Sequence, residues 1–133
     1  MIKIRSGALN PVDIVLYQIA NKWIASKKLK TYGMDYAGEI IKRGAKVDQK
    51  WQISDFVNGC VGPTFDDKGT LSDYIILNPR KDAVIMHMKP LDCLDDTITK
   101  CFNQFDINAA YRIVFNTAYA CLFEHGEKIG TRI

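Results

Sequence analysis

The sequence is poor in the residues that bind metals and form cross-links. Its 133 residues hold four cysteines and two histidines. Cys60, Cys93, Cys101 and Cys121 form no Cys-x-x-Cys pair, so reduced thiols are expected and a disulfide scaffold is not. With His87 and His125 both far from any cysteine-rich cluster, no tetrahedral nitrogen–sulfur site for zinc is expected. There is no apolar run of about 18 residues or more, and the opening Met-Ile-Lys-Ile-Arg lacks the apolar core and cleavage site of a signal peptide. A soluble, cytoplasmic protein follows as the expectation. No internal repeat and no low-complexity segment occurs. A Gly-x-Gly-x-x-Gly turn after a strand is also missing, and with it the usual cradle for a dinucleotide pyrophosphate.

What is present is ordinary globular composition, 47% hydrophobic and 25% charged, enough for one domain with its own core. Lys and Arg number 18 against 15 Asp and Glu. That excess is too mild to mark a nucleic-acid binder, and the one basic cluster, Lys27, Lys28 and Lys30, speaks only weakly for a membrane surface.

Ile2 and Ile4 alternate with Lys3 and Arg5, the period of a half-buried strand, and Gly7 closes it. Asn10-Pro11 pairs an N-cap with the residue best suited to a first helical position. Val12, Val15, Leu16, Ile19 and Trp23 then repeat at three and four, which predicts a helix from Pro11 to about Ala25. Strands are predicted over Ala37 to Arg43, Phe56-Val57 (stopped by Asn58-Gly59), Leu71 to Leu77 and Ala83 to Met88. Short strands cut by Gly and Pro favour a small, partly open barrel. Beyond Pro90 the period becomes helical: a short helix over Asp92 to Cys101, then a stripe from Asp106 through Ile107, Ala110, Tyr111, Val114, Ala118, Cys121 and Leu122, with Gly126 as its stop.

The centre of this organisation is Tyr32-Gly33-Met34-Asp35-Tyr36-Ala37-Gly38-Glu39-Ile40-Ile41, a loop that tightens into a strand. Around it, in order, stand Gly7-Ala8-Leu9-Asn10-Pro11-Val12-Asp13, Ser54-Asp55-Phe56-Val57-Asn58-Gly59, Gly69-Thr70-Leu71-Ser72-Asp73-Tyr74-Ile75 and Thr117-Ala118-Tyr119. Together they resemble the catalytic domain of the medium-chain dehydrogenase/reductases, in the zinc-independent branch that includes quinone oxidoreductases. The resemblance covers residues from about Ile2 to about Gly130.

It implies an α+β, β-rich fold: a GroES-like, partly open small barrel over residues 2–104 with its first strands missing, then a helical segment over 105–130 that would lead into a Rossmann domain absent here. A truncated NAD(P)H-dependent oxidoreductase, inactive alone, is the functional expectation. Its parent family takes NADPH and a small carbonyl or quinone substrate, and this chain alone is expected to bind no cofactor. The zinc-dependent relatives place a Cys near Asn10 and a His at Asp35.

On the residues alone Asn10 reads first as a helix cap. The resemblance adds a cleft position, from which Asn10 contacts a substrate carbonyl or the cofactor carboxamide while Asp13 holds the turn or a neighbouring cation. Tyr17, one helical turn beyond Asp13, is a candidate polar wall or proton donor. Thr117 reads as a cap or a packed residue, and by resemblance as a contact to the nicotinamide. Asp35, Gly38, Gly59 and Gly69 match family positions as backbone and turn residues. A rival reading is a non-enzymatic barrel that binds a protein partner or a membrane surface, or self-associates through an exposed strand edge.

Overall fold

The alternation at the start of the chain becomes β1, Ile2–Ala8, in a computed structural model that describes residues 1–15, 18, 31–62, 69–80, 83–88 and 103–121. Four more strands follow: β2 Asp35–Ile40, β3 Phe56–Val61, β4 Tyr74–Ile75 and β5 Ala83–His87. They make one open antiparallel sheet in the order β4-β1-β2-β3-β5. A long helix, Gln104–Tyr119, packs beside β1, β2 and β3. The fold is therefore mixed α and β, as the composition of its segments indicated. Among the described residues no helix is long and apolar enough to cross a membrane.

The two-residue period of β2 sends Asp35, Ala37 and Glu39 to one face and Tyr36, Gly38 and Ile40 to the other. Tyr36 and Ile40 join Ile2, Trp51, Val57, Val61 and Ile75 in the buried core, with Ile4, Val47, Leu77 and Ile85 packed at its margin. The helix belongs to the opposite face. There Asn58 donates through Nδ2 to the carbonyl and side-chain oxygens of Asn108 at 3.3 and 3.2 Å, and Phe56 meets Phe105 edge to face. Ser6 Oγ donates to Asp106 Oδ1 at 2.7 Å, fastening the helix start to β1.

Several expected boundaries move, each for a local reason. β3 runs through Asn58-Gly59 rather than stopping there, because β2 and β5 on either side satisfy its backbone groups. β4 keeps only two residues of the expected Leu71 to Leu77, since Ser72 Oγ, bonded to the carbonyls of Gly69 and Tyr74, holds the preceding bend. The long helix opens at Gln104, before Asp106, because Asn103 caps it: Asn103 Oδ1 accepts the amides of Phe105 and Asp106, and Asp106 Oδ2 accepts the Asn103 amide. Of the apolar stripe on that helix, Ala110, Tyr111, Val114, Ala118 and Cys121 are exposed, while Asn108 and Ala109 are buried against the sheet. β1, which opens the chain, is not an edge strand: β4 pairs on its far side at Ile2 and Lys3. The helix expected to Ala25 is seen over residues 11–15, and the one over Asp92 to Cys101 lies outside the described residues.

One contact fixes how β1 crosses β2. The register shifts between Ile4 and Ser6, a bulge at Arg5 that increases the local twist, and the Lys3 carbonyl comes down on Gly38. A Cβ on Gly38 would run into that carbonyl oxygen and into the Ile2 side chain. Gly38→Ala should accordingly destabilise the fold by about 2 kcal/mol, the usual cost of overpacking. Gly44→Ala, where the nearest atom is a Val47 methyl carbon at 3.7 Å, should change stability little; urea denaturation of the two variants checks the contrast.

Candidate functional site

Asn10 closes β1 and opens the helical turn at residues 11–15, and its three hydrogen-bonding groups go to three places. Its backbone amide donates to Asp13 Oδ2 at 2.8 Å, and its carbonyl accepts the Asp13 amide at 2.9 Å. This is half of a capping box, with Asp13 as the acidic residue that reaches back. The other half is redirected. Instead of capping its own helix, the Asn10 side chain donates Nδ2–H to Asp35 Oδ2 at 2.7 Å, across 25 residues.

Asp35 sits at the head of β2, between Ala8 on one side and Cys60 on the other. It is fully buried, and Asn10 and Asp13 are nearly so. Two carboxylates therefore share a protected corner with an amide. The Cys60 thiol donates to the Val61 carbonyl at 3.4 Å and is pushed up to about 12, chiefly by burial, then by the charge and hydrogen-bonding influence of the neighbouring Asp35 and the charge of Asp13; Arg112 on the long helix pulls the other way. Burial, with a smaller contribution from Cys60, also raises the Tyr36 phenol well above its ordinary value. The Tyr36 hydroxyl and Arg112 Nε are buried there without a hydrogen-bond partner.

The corner is rich in acceptors and holds its thiol in the neutral form. Asn10 retains its side-chain oxygen and one N–H for another partner. Next to it an apolar groove of about 820 Å³ follows the long helix, from Ala8 on β1 past Tyr111, Val114 and Phe115 to Ala118.

Of the residues expected from sequence, Asn10 and Asp13 are brought together, and Tyr17 lies outside the described residues. Thr117 is exposed on the long helix, neither a cap nor a packed residue. His87 stacks on Trp51, with ring centroids 4.6 Å apart, and its Nδ1 lies 3.7 Å from Asp55; among the described residues no three His, Cys, Asp or Glu side chains are placed to hold a metal ion. Asp35 does more than shape a turn, and Cys60 and Arg112 were not anticipated. The available signal was an acidic residue at the entry to a strand, between Met34 and Tyr36-Ala37, which must find donors when buried.

Among known proteins the chain is similar to Protein YIM1 of Saccharomyces cerevisiae, in strains YJM789 and S288c alike, at 40% identity over 126 residues. The match takes in 93% of this chain and 33% of the relative, so the chain spans about a third of the length of the curated relatives it matches. No protein-family profile matches the chain, and no solved structure matches it.

Two measurements test the corner. Replacing Asn10 with Ala leaves a buried carboxylate short of a donor and should cost about 2–3 kcal/mol in urea denaturation. With its pKa at about 12 against an ordinary 9.0, Cys60 should react with iodoacetamide at pH 8 about a thousandfold more slowly than a thiol of ordinary pKa, read by peptide mass spectrometry. The folded state holds that proton more tightly, so its stabilising contribution is complete below pH 9 and is lost as pH rises through about 12.

Proposed function

We propose that this chain is the substrate-side lobe of a zinc-independent, NAD(P)H-dependent oxidoreductase of quinone reductase type, a GroES-like partly open barrel working in the cytosol with a nucleotide-binding lobe. The observation that carries the reading is the Asn10–Asp35 hydrogen bond. The zinc enzymes of the resembled superfamily place a Cys at Asn10 or its neighbours and a His at Asp35. In this chain Asn10 and Asp35 meet in space, as two ligands of one ion would, but they carry an amide and a carboxylate bonded to each other.

The cofactor fits what the corner offers. A bound nicotinamide supplies the hydride, and Asn10, with an oxygen and an N–H still to use, is the residue to hold its carboxamide or to polarise a substrate carbonyl. Asp13 and Asp35 fix Asn10 from both sides, which sets the direction of that remaining N–H. The groove along the helix supplies an apolar wall for a quinone or another flat carbonyl compound. Thr117 stands exposed for a contact from the cofactor side. Asn10, Asp13 and Thr117 thus orient, while the chemistry belongs to the cofactor.

A second reading, a non-enzymatic module that binds a protein partner, is favoured by the exposed Tyr111, Val114 and Phe115 on the long helix. The basic cluster invoked for a membrane surface, Lys27, Lys28 and Lys30, lies outside the described residues.

One experiment separates the two. The full chain should oxidise no NADPH with 9,10-phenanthrenequinone by itself, and should do so when mixed with the remaining two-thirds of the yeast relative. Thr117→Val and Asn10→Ala, assayed where both remain folded, should then lower the rate, Asn10→Ala by roughly 10²-fold, the scale of losing one polarising donor. Absence of any gain over the added segment alone would remove the enzymatic reading.

A further inference from the structure

The far end of the β1–β2 pair is built in the opposite sense from the Asn10 corner. β1 is seven residues long, so Ile2 lies about 20 Å along the strand from Ala8. Around Ile2 and its partner Ile40 opens a cavity of about 690 Å³. That is within the roughly 300–1,000 Å³ of small-molecule sites.

Its floor is apolar: Ile2, Ile40 and Trp51 are buried, and Val47, Leu77 and Ile85 are half-buried. Its rim is cationic. Lys42, Arg43, Lys46, Lys50 and Arg80 all line it and all are exposed, against a single carboxylate, Asp48. Three of these charged groups are already anchored. Arg43 Nη1 donates to the Trp51 carbonyl at 3.3 Å, Lys50 Nζ stands 5.2 Å from the centroid of the Trp51 ring, and Asp48 Oδ1 accepts the Lys50 backbone amide. Lys42, Lys46 and Arg80 are left to face an incoming charge. The floor itself is fixed from behind, since Trp51 stacks on His87 with the rings 18° from parallel.

An apolar floor under a predominantly cationic rim selects a ligand with two unlike ends. We infer that this cavity binds a small amphipathic anion, an aliphatic or aryl body seated on Ile40, Trp51, Leu77 and Ile85 with a carboxylate or phosphate head held by Lys42, Lys46 and Arg80. The site is independent of the redox reading and shares no residue with the Asn10 corner. Its occupant needs both ends: a neutral body forfeits the rim, and an inorganic anion forfeits the floor.

Isothermal titration of the full chain tests this with dodecanoate, dodecyl phosphate, dodecanol and inorganic phosphate, each amphiphile below its micellar concentration. Dodecanoate or dodecyl phosphate should bind at least tenfold more tightly than dodecanol, and the stronger of the two identifies the preferred head group. Inorganic phosphate should give no binding heat, and the affinity of the amphipathic anion should fall as salt is raised. The double reversal Lys46→Glu with Arg80→Glu, at two exposed positions, should weaken that affinity at least tenfold without moving the thermal midpoint. Binding should also change Trp51 emission, a change lost in Trp51→Phe. Equal affinity for dodecanol, or undiminished affinity in the double reversal, would overturn the assignment.

Discussion

A carboxylate without solvent governs this structure. Burying a charge is costly unless donors replace the lost water, and Asp35 is wholly enclosed at the point where β2 begins. A donor comes from a distant stretch: Asn10 arrives from beyond the end of β1 and donates to Asp35, and β3 brings Cys60 opposite it, so three strands and the first helical turn meet at one enclosed carboxylate. The arrangement at Asn10 reflects the same demand, because its side-chain amide is turned toward Asp35 while Asp13 accepts the Asn10 backbone amide.

That constraint also explains which features the sequence disclosed and which it concealed. Patterns confined to neighbouring residues were legible: the alternation of Ile2 and Ile4, the Asn10-Pro11 start, the strand from Ala83. Features decided by distant partners were not. Asn58-Gly59 has the chemistry of a turn, yet β2 and β5 on either side carry the strand through it. Tyr111 and Val114 have the spacing of a buried stripe, yet the sheet takes Asn108 and Ala109 instead, because Asn58 offers an amide to the helix. Asp35 was legible as a turn residue beside Gly33, a position with φ of +92°, but nothing local announced that its carboxylate would hold Asn10. Cys60 looked like one of four unremarkable thiols until the fold set it beside two acids.

The helix is the clearest case of a local pattern overruled. Its start is fixed by the reciprocal bonds of Asn103 and Asp106, and Ser6 ties that start to β1. With the first turn held, rotation about the helix axis is no longer adjustable. Asn108, one turn on, must then face the sheet, and Ile107, Ala110, Tyr111, Val114, Phe115 and Ala118 line the groove. Three hydrogen-bonding residues thus determine where the aromatic side chains go, and the groove beside the Asn10 corner follows from them.

A formal charge of +3 gives no hint of how the charge is arranged. β1 and β2 lie antiparallel with Ile2 opposite Ile40 at one end and Ala8 opposite Asp35 at the other. Because the chain enters and leaves the pair at both ends, each end gathers its own loops. The segment after β2 brings Lys42, Arg43, Lys46 and Lys50 to the first, and the segment after β1 brings Asn10 and Asp13 to the second. Like charges gathered at one end repel, a cost tolerable only where water screens them, and these cations are exposed; the acids at the other end are enclosed and depend on donors. Separation along the strand pair lets one small sheet keep an acceptor-rich corner and a cation-rimmed cavity without either neutralising the other.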